Sequence, residues 1–322
     1  MMDRATSRCF VAGHRGLVGS AIVRALSKAG YARPIVRTRG ELDLLDQKAV
    51  AKFFREERPD VVFFAAAKVG GIRANDTYRW DFLFENLVIE TNVLGAANDT
   101  GVDRVVFFGS SCIYPRLSEQ PIKEDYLLTG PLEHTNEPYA IAKIAGVKLV
   151  DAANAQYGRK WISLMPTNLY GPNDNFDLEK SHVLPALIRK FHEAKEDRAA
   201  GKDAVVTLWG HGTARREFLH VDDAASAAVM MMESGATGLY NVGSGSDLPI
   251  RDLADLVAQV VGYDGPVHWD VTKPDGTPRK LMDSSRLRAF GWRPEISLEE
   301  GIRSTYQWYL EAREAEMARL AS

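Results

Sequence analysis

The chain has 322 residues, 45% of them hydrophobic and 26% charged, with a formal net charge of −3. At roughly 100–200 residues per domain this is one large or two modest domains, and the near-neutral balance argues against binding to nucleic acid or membranes by charge. Two cysteines, Cys9 and Cys112, stand far apart, which is neither a disulfide framework nor a cysteine-rich zinc site.

Met1 to Arg8 carries Asp3, and the apolar stretch after it stops at Gly13, unlike a secretory leader; the expected compartment is cytoplasmic. Arg8 to Ala12 reads as a buried strand and Val18 to Ala29 as a helix stopped by Gly30. Pro34 to Thr38 is a second predicted strand, and Asp46 can cap a helix running to about Glu57. Val61 to Ala67 and Arg104 to Phe108 are two more strands, with a long helix near Asp81 to Thr100 between them. The first of these is an apolar run of only seven residues, against the ~20 of a membrane span. A helix from about Pro138 to Tyr157 leads into a strand at Trp161 to Met165. Strands alternating with helices predict βαβ units, hence an α/β fold with a Rossmann-type doubly wound parallel sheet.

After Pro166 the pattern loosens. Pro, Gly, Asn and Asp cluster up to Asp177, followed by a helix near Val183 to Lys195 and a strand at Val205 to Trp209. Further helices are expected at Asp222 to Glu233, Ile250 to Val261 and Leu298 to about Ala318. The expected organisation is a dinucleotide-binding domain over residues 1–166, rejoined at about 215–245. A smaller α/β substrate-binding domain would take 167–214 and 246–322.

Directly after the first strand comes Gly13-His14-Arg15-Gly16-Leu17-Val18-Gly19, opening a helix. Glycines there permit a tight turn and close approach of backbone to a pyrophosphate, and the helix N-terminus supplies free N–H groups and a positive dipole end. An acid at the end of the second strand would bind a free ribose 2′-hydroxyl and favour NAD. The chain instead reads Arg37-Thr38-Arg39-Gly40, with Arg15 in the glycine loop. Guanidinium groups suit a 2′-phosphate, so NADP(H) is the expected cofactor.

Tyr139-Ala140-Ile141-Ala142-Lys143 puts a phenol and an ammonium on one helix face. The ammonium is expected to lower the tyrosine pKa, so that the phenol can exchange a proton with a carbonyl oxygen. The pattern is weak alone and gains weight from its place. It follows a strand ending in Gly109-Ser110-Ser111-Cys112, and ligands of open parallel sheets bind beyond the carboxyl ends of the strands. Ser110 and Tyr139 can therefore meet over one carbonyl.

These residues, with the Gly-x-x-Gly-x-x-Gly spacing, resemble the extended class of short-chain dehydrogenases/reductases that acts on nucleotide sugars. The resemblance is closest to the GDP-L-fucose synthase family, carried by Ala66 to Ile72, Ser110 to Pro115, Asn136 to Lys143, Met165 to Pro172 and Lys273 to Lys280. It implies 3,5-epimerisation of GDP-4-keto-6-deoxy-D-mannose and NADPH-dependent reduction at carbon 4. It also implies a homodimer built through a helix bundle that includes the Tyr139 helix.

Residue by residue, the resemblance makes Ser110, Tyr139 and Lys143 the reductive site, and Cys112 and His182 the base and acid of epimerisation. Cofactor contacts are implied for the loop Gly13 to Gly19, for Arg39, Lys143 and His182, and for the backbone of Pro166, Thr167, Asn168 and Leu169. Substrate contacts are implied for Lys190, Trp209, Arg216 and Asp275, cations suiting a diphosphate and an aromatic a base. No metal is expected. Two other readings stay open at this level: a non-reducing nucleotide-sugar 4-epimerase or 4,6-dehydratase, and an NADP-sensing protein without catalysis. Dehydratases carry an Asp-Glu pair where Ser111-Cys112-Ile113 stands, and sensors typically lose a tyrosine or lysine that this chain keeps.

Overall fold

Four apolar residues in a row make β1 (Cys9–Ala12) a strand covered on both faces, and the glycine loop turns it into α1 (Leu17–Lys28). A computed structural model describes residues 3–273 and 276–321. Asp275, one of the expected substrate contacts, lies outside the described residues. Asp46 caps α2 (Gln47–Glu57) by accepting from the N–H groups of Lys48 and Ala49, as its position predicts. Then follow β2 (Val61–Phe64), the short α3 (Ile72–Thr77), α4 (Arg79–Asp99), β3 (Arg104–Phe108), α5 (Glu137–Tyr157) and β4 (Ile162–Pro166).

The later part runs β5 (Asn168–Tyr170), α6 (Val183–Ala199), β6 (Val206–Trp209), β7 (Arg215–His220), α7 (Val221–Ser234) and β8 (Gly238–Val242). It ends with β9 (Asp247–Pro249), α8 (Ile250–Val261), β10 (Val267–Asp270), β11 (Arg279–Lys280), α9 (Ser285–Arg288) and α10 (Leu298–Ala321).

The main sheet has the order β1-β2-β3-β4-β8, and every neighbouring pair is parallel. Its strands are buried apolar runs because helices cover both faces. On one face Phe54, Val93, Phe107 and Val147 join α2, α4 and α5 to the sheet; on the other Ile22, Leu26, Ala228 and Met231 join α1 and α7. Each of the larger side chains among these, withdrawn from water, stabilises the fold by about 1.5–3 kcal/mol.

The predicted strand at Pro34 to Thr38 is reduced to one bridge, Ile35 against Phe10. Pro34 has no N–H to give. Beyond Ile35 the chain is pulled off the sheet: Arg37 bonds Glu57 at 2.5 Å and lies over the Phe53 ring. The Glu41 carboxylate then ties back onto the Thr38 N–H.

After β4 the chain passes directly into β5, which joins a second sheet of order β11-β7-β5 with β9 on β7. A separate pair, β10-β6, lies beside it. These short strands and α6, α8 and α10 enclose their own core around Tyr170, Phe191, Val257 and Ile302. Residues 221–242 return to the main sheet as α7 and β8.

Candidate active site

All strands of the main sheet run the same way, so the residues following β1, β2, β3 and β4 share one edge. The first of them is a cradle of backbone. Gly13 has φ +85°, and a Cβ there would stand 3.0 Å from the Ala66 backbone; a Cβ on Gly19 would stand 2.2 Å from the Gly13 carbonyl. Gly16 caps α1 with no side chain on the first-turn N–H groups. Bare N–H groups, a positive helix end and no side-chain bulk fit a dinucleotide pyrophosphate. His14 reaches the Arg37 backbone, which closes the loop on the segment after Ile35. Arg39 there is exposed, with only a loose 3.6 Å contact to Asp43. Arg37 is committed to Glu57 instead.

Beyond β3, Gly109 leaves room for the end of the Met165 side chain, which a Cβ would approach to 2.1 Å. Ser110 then caps a one-turn 3₁₀ segment by accepting from the Cys112 N–H at 3.2 Å, which fixes both side chains in one turn. Tyr139 stands in the first turn of α5 with its phenol close enough to Ser110 for the two to interact. Its phenol is pushed well above its ordinary value, first by burial, then by the charges of Cys112 and Glu90, with Ser110 acting the other way.

This reverses the expectation that Lys143 lowers the Tyr139 pKa. Lys143 is 1% exposed, lies 3.2 Å from the equally buried Glu90 of α4, and donates to the Phe108 carbonyl at 3.1 Å. Its charge is spent on that partner, and the ring of Tyr139 lies 6.0 Å away. Glu90→Leu is expected to cost about 3–5 kcal/mol, because it strands a buried ammonium. Urea unfolding measures this, and an unchanged midpoint would show that the pair contributes nothing.

Cys112 is half-buried, with Asn136 Nδ2 at 3.1 Å and Lys280 Nζ at 3.9 Å from its sulfur. His182 is the N-cap residue of α6. The loop before it is tied to the start of α3 by Gly71 N–H donating to Lys180 O at 2.9 Å. The protein packed around the ring lowers its pKa, and the positive end of α6 works in the same direction. His182 makes no hydrogen bond with Ser110, Cys112 or Tyr139 among the described residues. The structure gathers those three into one turn-and-helix cluster, while His182 comes from the start of α6.

The backbone from Pro166 to Leu169 crosses between the two sheets, with Asn168 held by the Glu217 carbonyl at 2.8 Å and Thr167 by the same oxygen at 3.1 Å. Trp209 on β6 points outward, 58% exposed, with Lys273 Nζ 5.8 Å from its ring centre. Lys190 donates to the Thr207 carbonyl, and its pKa is lowered by burial. Arg216 donates to the Arg215 carbonyl and its pKa too is lowered by burial. Both are cations placed where an anion would relieve them.

Residues 9–243 match the model of the NAD dependent epimerase/dehydratase family. The chain belongs to that family. Within it, the chain is 55% identical to GDP-L-fucose synthase of Escherichia coli (strain K12), covering 94% of this chain and 97% of that one. It is 56% identical to GDP-L-fucose synthase 1 of Arabidopsis thaliana, over 96% and 95%. A GDP-L-fucose synthetase from Naegleria fowleri, solved with NADP bound, superposes with a TM-score of 0.86 at 26% identity, covering 98% and 97%. The family kinship agrees with the sequence resemblance. Three residues that motif reading left without a part are Glu90, Asn136 and Lys280. Only Asn136 and Lys280 lie in the quoted motifs; nothing in the sequence marks Glu90 as the partner of Lys143.

Proposed function

We propose that the protein converts GDP-4-keto-6-deoxy-D-mannose to GDP-L-fucose, epimerising carbons 3 and 5 and then reducing the ketone at carbon 4 with NADPH. One observation carries the reading: a thiol shares a single 3₁₀ turn with the serine of the serine–tyrosine pair. A simple ketone reductase has no use for a base there. An epimerase does, because carbons 3 and 5 both flank the ketone and lose their protons to a common enolate.

Cys112 takes the proton from carbon, forming S–H while the C–H electron pair moves into the enolate. Ser110 and Tyr139 hold the enolate oxygen by donated hydrogen bonds. The raised tyrosine pKa keeps the phenol protonated, which is the state an oxygen-holding donor and a later acid both need. His182 returns a proton from the other face. Burial lowers its pKa in the free protein, and the negative charge arriving with the sugar nucleotide works in the opposite direction, favouring the protonated ring.

Bound NADPH supplies the hydride that reduces carbon 4. The N-terminus of α1 would hold its pyrophosphate, Arg15 and Arg39 its 2′-phosphate, and Lys143 with the 166–169 backbone its nicotinamide end. Lys190, Trp209 and Arg216, with Asp275, would hold the GDP. Arg39→Ala is expected to weaken NADPH about tenfold or more while sparing NADH. Equal losses for both cofactors in steady-state kinetics would remove Arg39 from the phosphate site.

The domain split at Pro166 is supported by the separate core of the second sheet; the return is narrower than about 215–245, residues 221–242, because Arg215–His220 pair within the second sheet. A homodimer is supported by an uncovered aromatic face on α4, where Trp80 is 73% exposed and stacks on Phe84. A cytoplasmic setting is in keeping with a reductase fed by NADPH, and no described helix is long and apolar enough to cross a membrane. The deciding experiment combines the protein with NADPH and GDP-4-keto-6-deoxymannose and identifies the product sugar by NMR. Tightly held NAD with no net NADPH consumption would overturn the reading, as would an unepimerised product.

A further inference from the structure

Asparagine at a helix N-cap ordinarily turns its side-chain oxygen onto the first-turn N–H groups. Asn136, the N-cap of α5, does not. Its amide nitrogen goes to Cys112 Sγ at 3.1 Å instead, and its Oδ1 is buried without a partner among the described residues. Lys280 Nζ meets the same sulfur from β11, at 3.9 Å, and pairs with no carboxylate among the described residues. An ammonium and an amide NH₂ are donors only. The sulfur is thus met as an acceptor by two donors, an arrangement that would favour a thiolate over a thiol.

We propose that Lys280 and Asn136 are positioning residues that hold Cys112 as a thiolate, Lys280 by its charge and Asn136 by its hydrogen bond. This rests on reading Cys112 as the base of epimerisation. The other charged groups around the sulfur do not replace Lys280. Tyr139 on α5 is kept protonated partly by the sulfur's own charge. Lys143 is paired with Glu90 of α4, and burial disfavours the charged form of His182 at the start of α6.

Lys280 also couples the base to the substrate arm. β11 pairs with β7 so that Lys280 stands in register with Arg216, and register partners in a parallel ladder project to the same side. One strand pair therefore presents a guanidinium placed for the diphosphate and, beside it, the ammonium that faces the sulfur. A sugar nucleotide seated on Arg216 is delivered to an ionised Cys112.

The test is the pH dependence of iodoacetamide alkylation, followed by mass. Cys9 is 1% exposed and burial pushes its thiol up to about 12, so alkylation of the folded protein reports Cys112. Lys280→Gln is expected to slow alkylation at pH 7 by about tenfold and to move the profile to higher pH. Lys280→Arg should retain most of the rate. Wash-in of deuterium at carbons 3 and 5 should fall in step, with the KM for the sugar nucleotide changed less. Asn136→Ala, whose side chain caps nothing, gives a second arm should Lys280→Gln not fold, and it too should slow alkylation. Unchanged alkylation in both variants, or a raised KM with unchanged alkylation, overturns the proposal. Slowed alkylation with undiminished wash-in instead removes Cys112 as the base, which separates failure of the underlying reading from failure of the charge arrangement.

Discussion

Replacing Tyr139 by phenylalanine should lower NADPH-dependent reduction by about 10²–10⁴, the range for loss of a positioned general acid. The ring itself is needed only for packing: Tyr139 lies edge-on to Phe82 at 6.3 Å, and phenylalanine preserves that contact. The enolate oxygen would still meet Ser110, so some exchange of solvent deuterium into the substrate should survive. The pH dependence has a definite sign. Burial and the charges of Cys112 and Glu90 raise the phenol above its ordinary value, so the acid is present throughout the neutral range. Wild-type reduction should not lose this acid between pH 7 and 9, whereas a tyrosine ionising near neutrality would cost rate there. Near-normal turnover by Tyr139→Phe would remove the phenol from the mechanism.

That sign illustrates what local sequence carries and what it does not. The i,i+4 spacing of Tyr139 and Lys143 correctly places both at the start of α5, because helical geometry is local. Which carboxylate answers the lysine is not local: Glu90 arrives from α4, where the close passage of α5 depends on Gly146, whose Cβ would stand 2.8 Å from Glu90 Oε2. Inferring a lowered tyrosine pKa from the lysine alone omitted the partner that absorbs its charge. The same limit explains Pro34 to Thr38. Its β-rich composition is real, but the pull of Glu57 and Phe53 on Arg37 belongs to another element.

Four strands of the main sheet, β1 to β4, were legible because they are buried runs such as Val61–Phe64 and the helices between them carry caps such as Asp46, whereas β8, with its partly exposed first three residues, was not read. The second sheet was not legible. Strands of two or three residues such as β5, β9 and β11 are too short to show a period, and pairing alone defines them. The site inherits this division. The glycine loop, Ser110, Cys112 and Tyr139 follow elements that periodicity finds, whereas Lys280 reaches Cys112 from a strand that only the tertiary fold creates.

Replacing Cys112 by serine should separate the two chemistries. Hydride delivery to carbon 4 asks only that the ketone oxygen be held and protonated, and the substitution leaves Ser110, Tyr139 and Lys143 in place. The serine hydroxyl is close in size and can still accept from Asn136, so the turn capped by Ser110 should persist. It supplies no anion near neutral pH, and Lys280 would face an oxygen too weakly acidic to ionise. Epimerisation should therefore fall by roughly the 10²–10⁴ typical of a general base, while the ketone still binds and is still reduced. The product should shift from GDP-L-fucose to an unepimerised 6-deoxyhexose such as GDP-rhamnose, read by NMR after exhaustive NADPH oxidation in D₂O. His182→Asn provides the contrast, since loss of the returning acid should leave deuterium exchange running while inversion fails. Mostly fucose from Cys112→Ser, deuterated at carbons 3 and 5, would mean that another residue takes the protons and that the sulfur, for all its two donors, serves only packing.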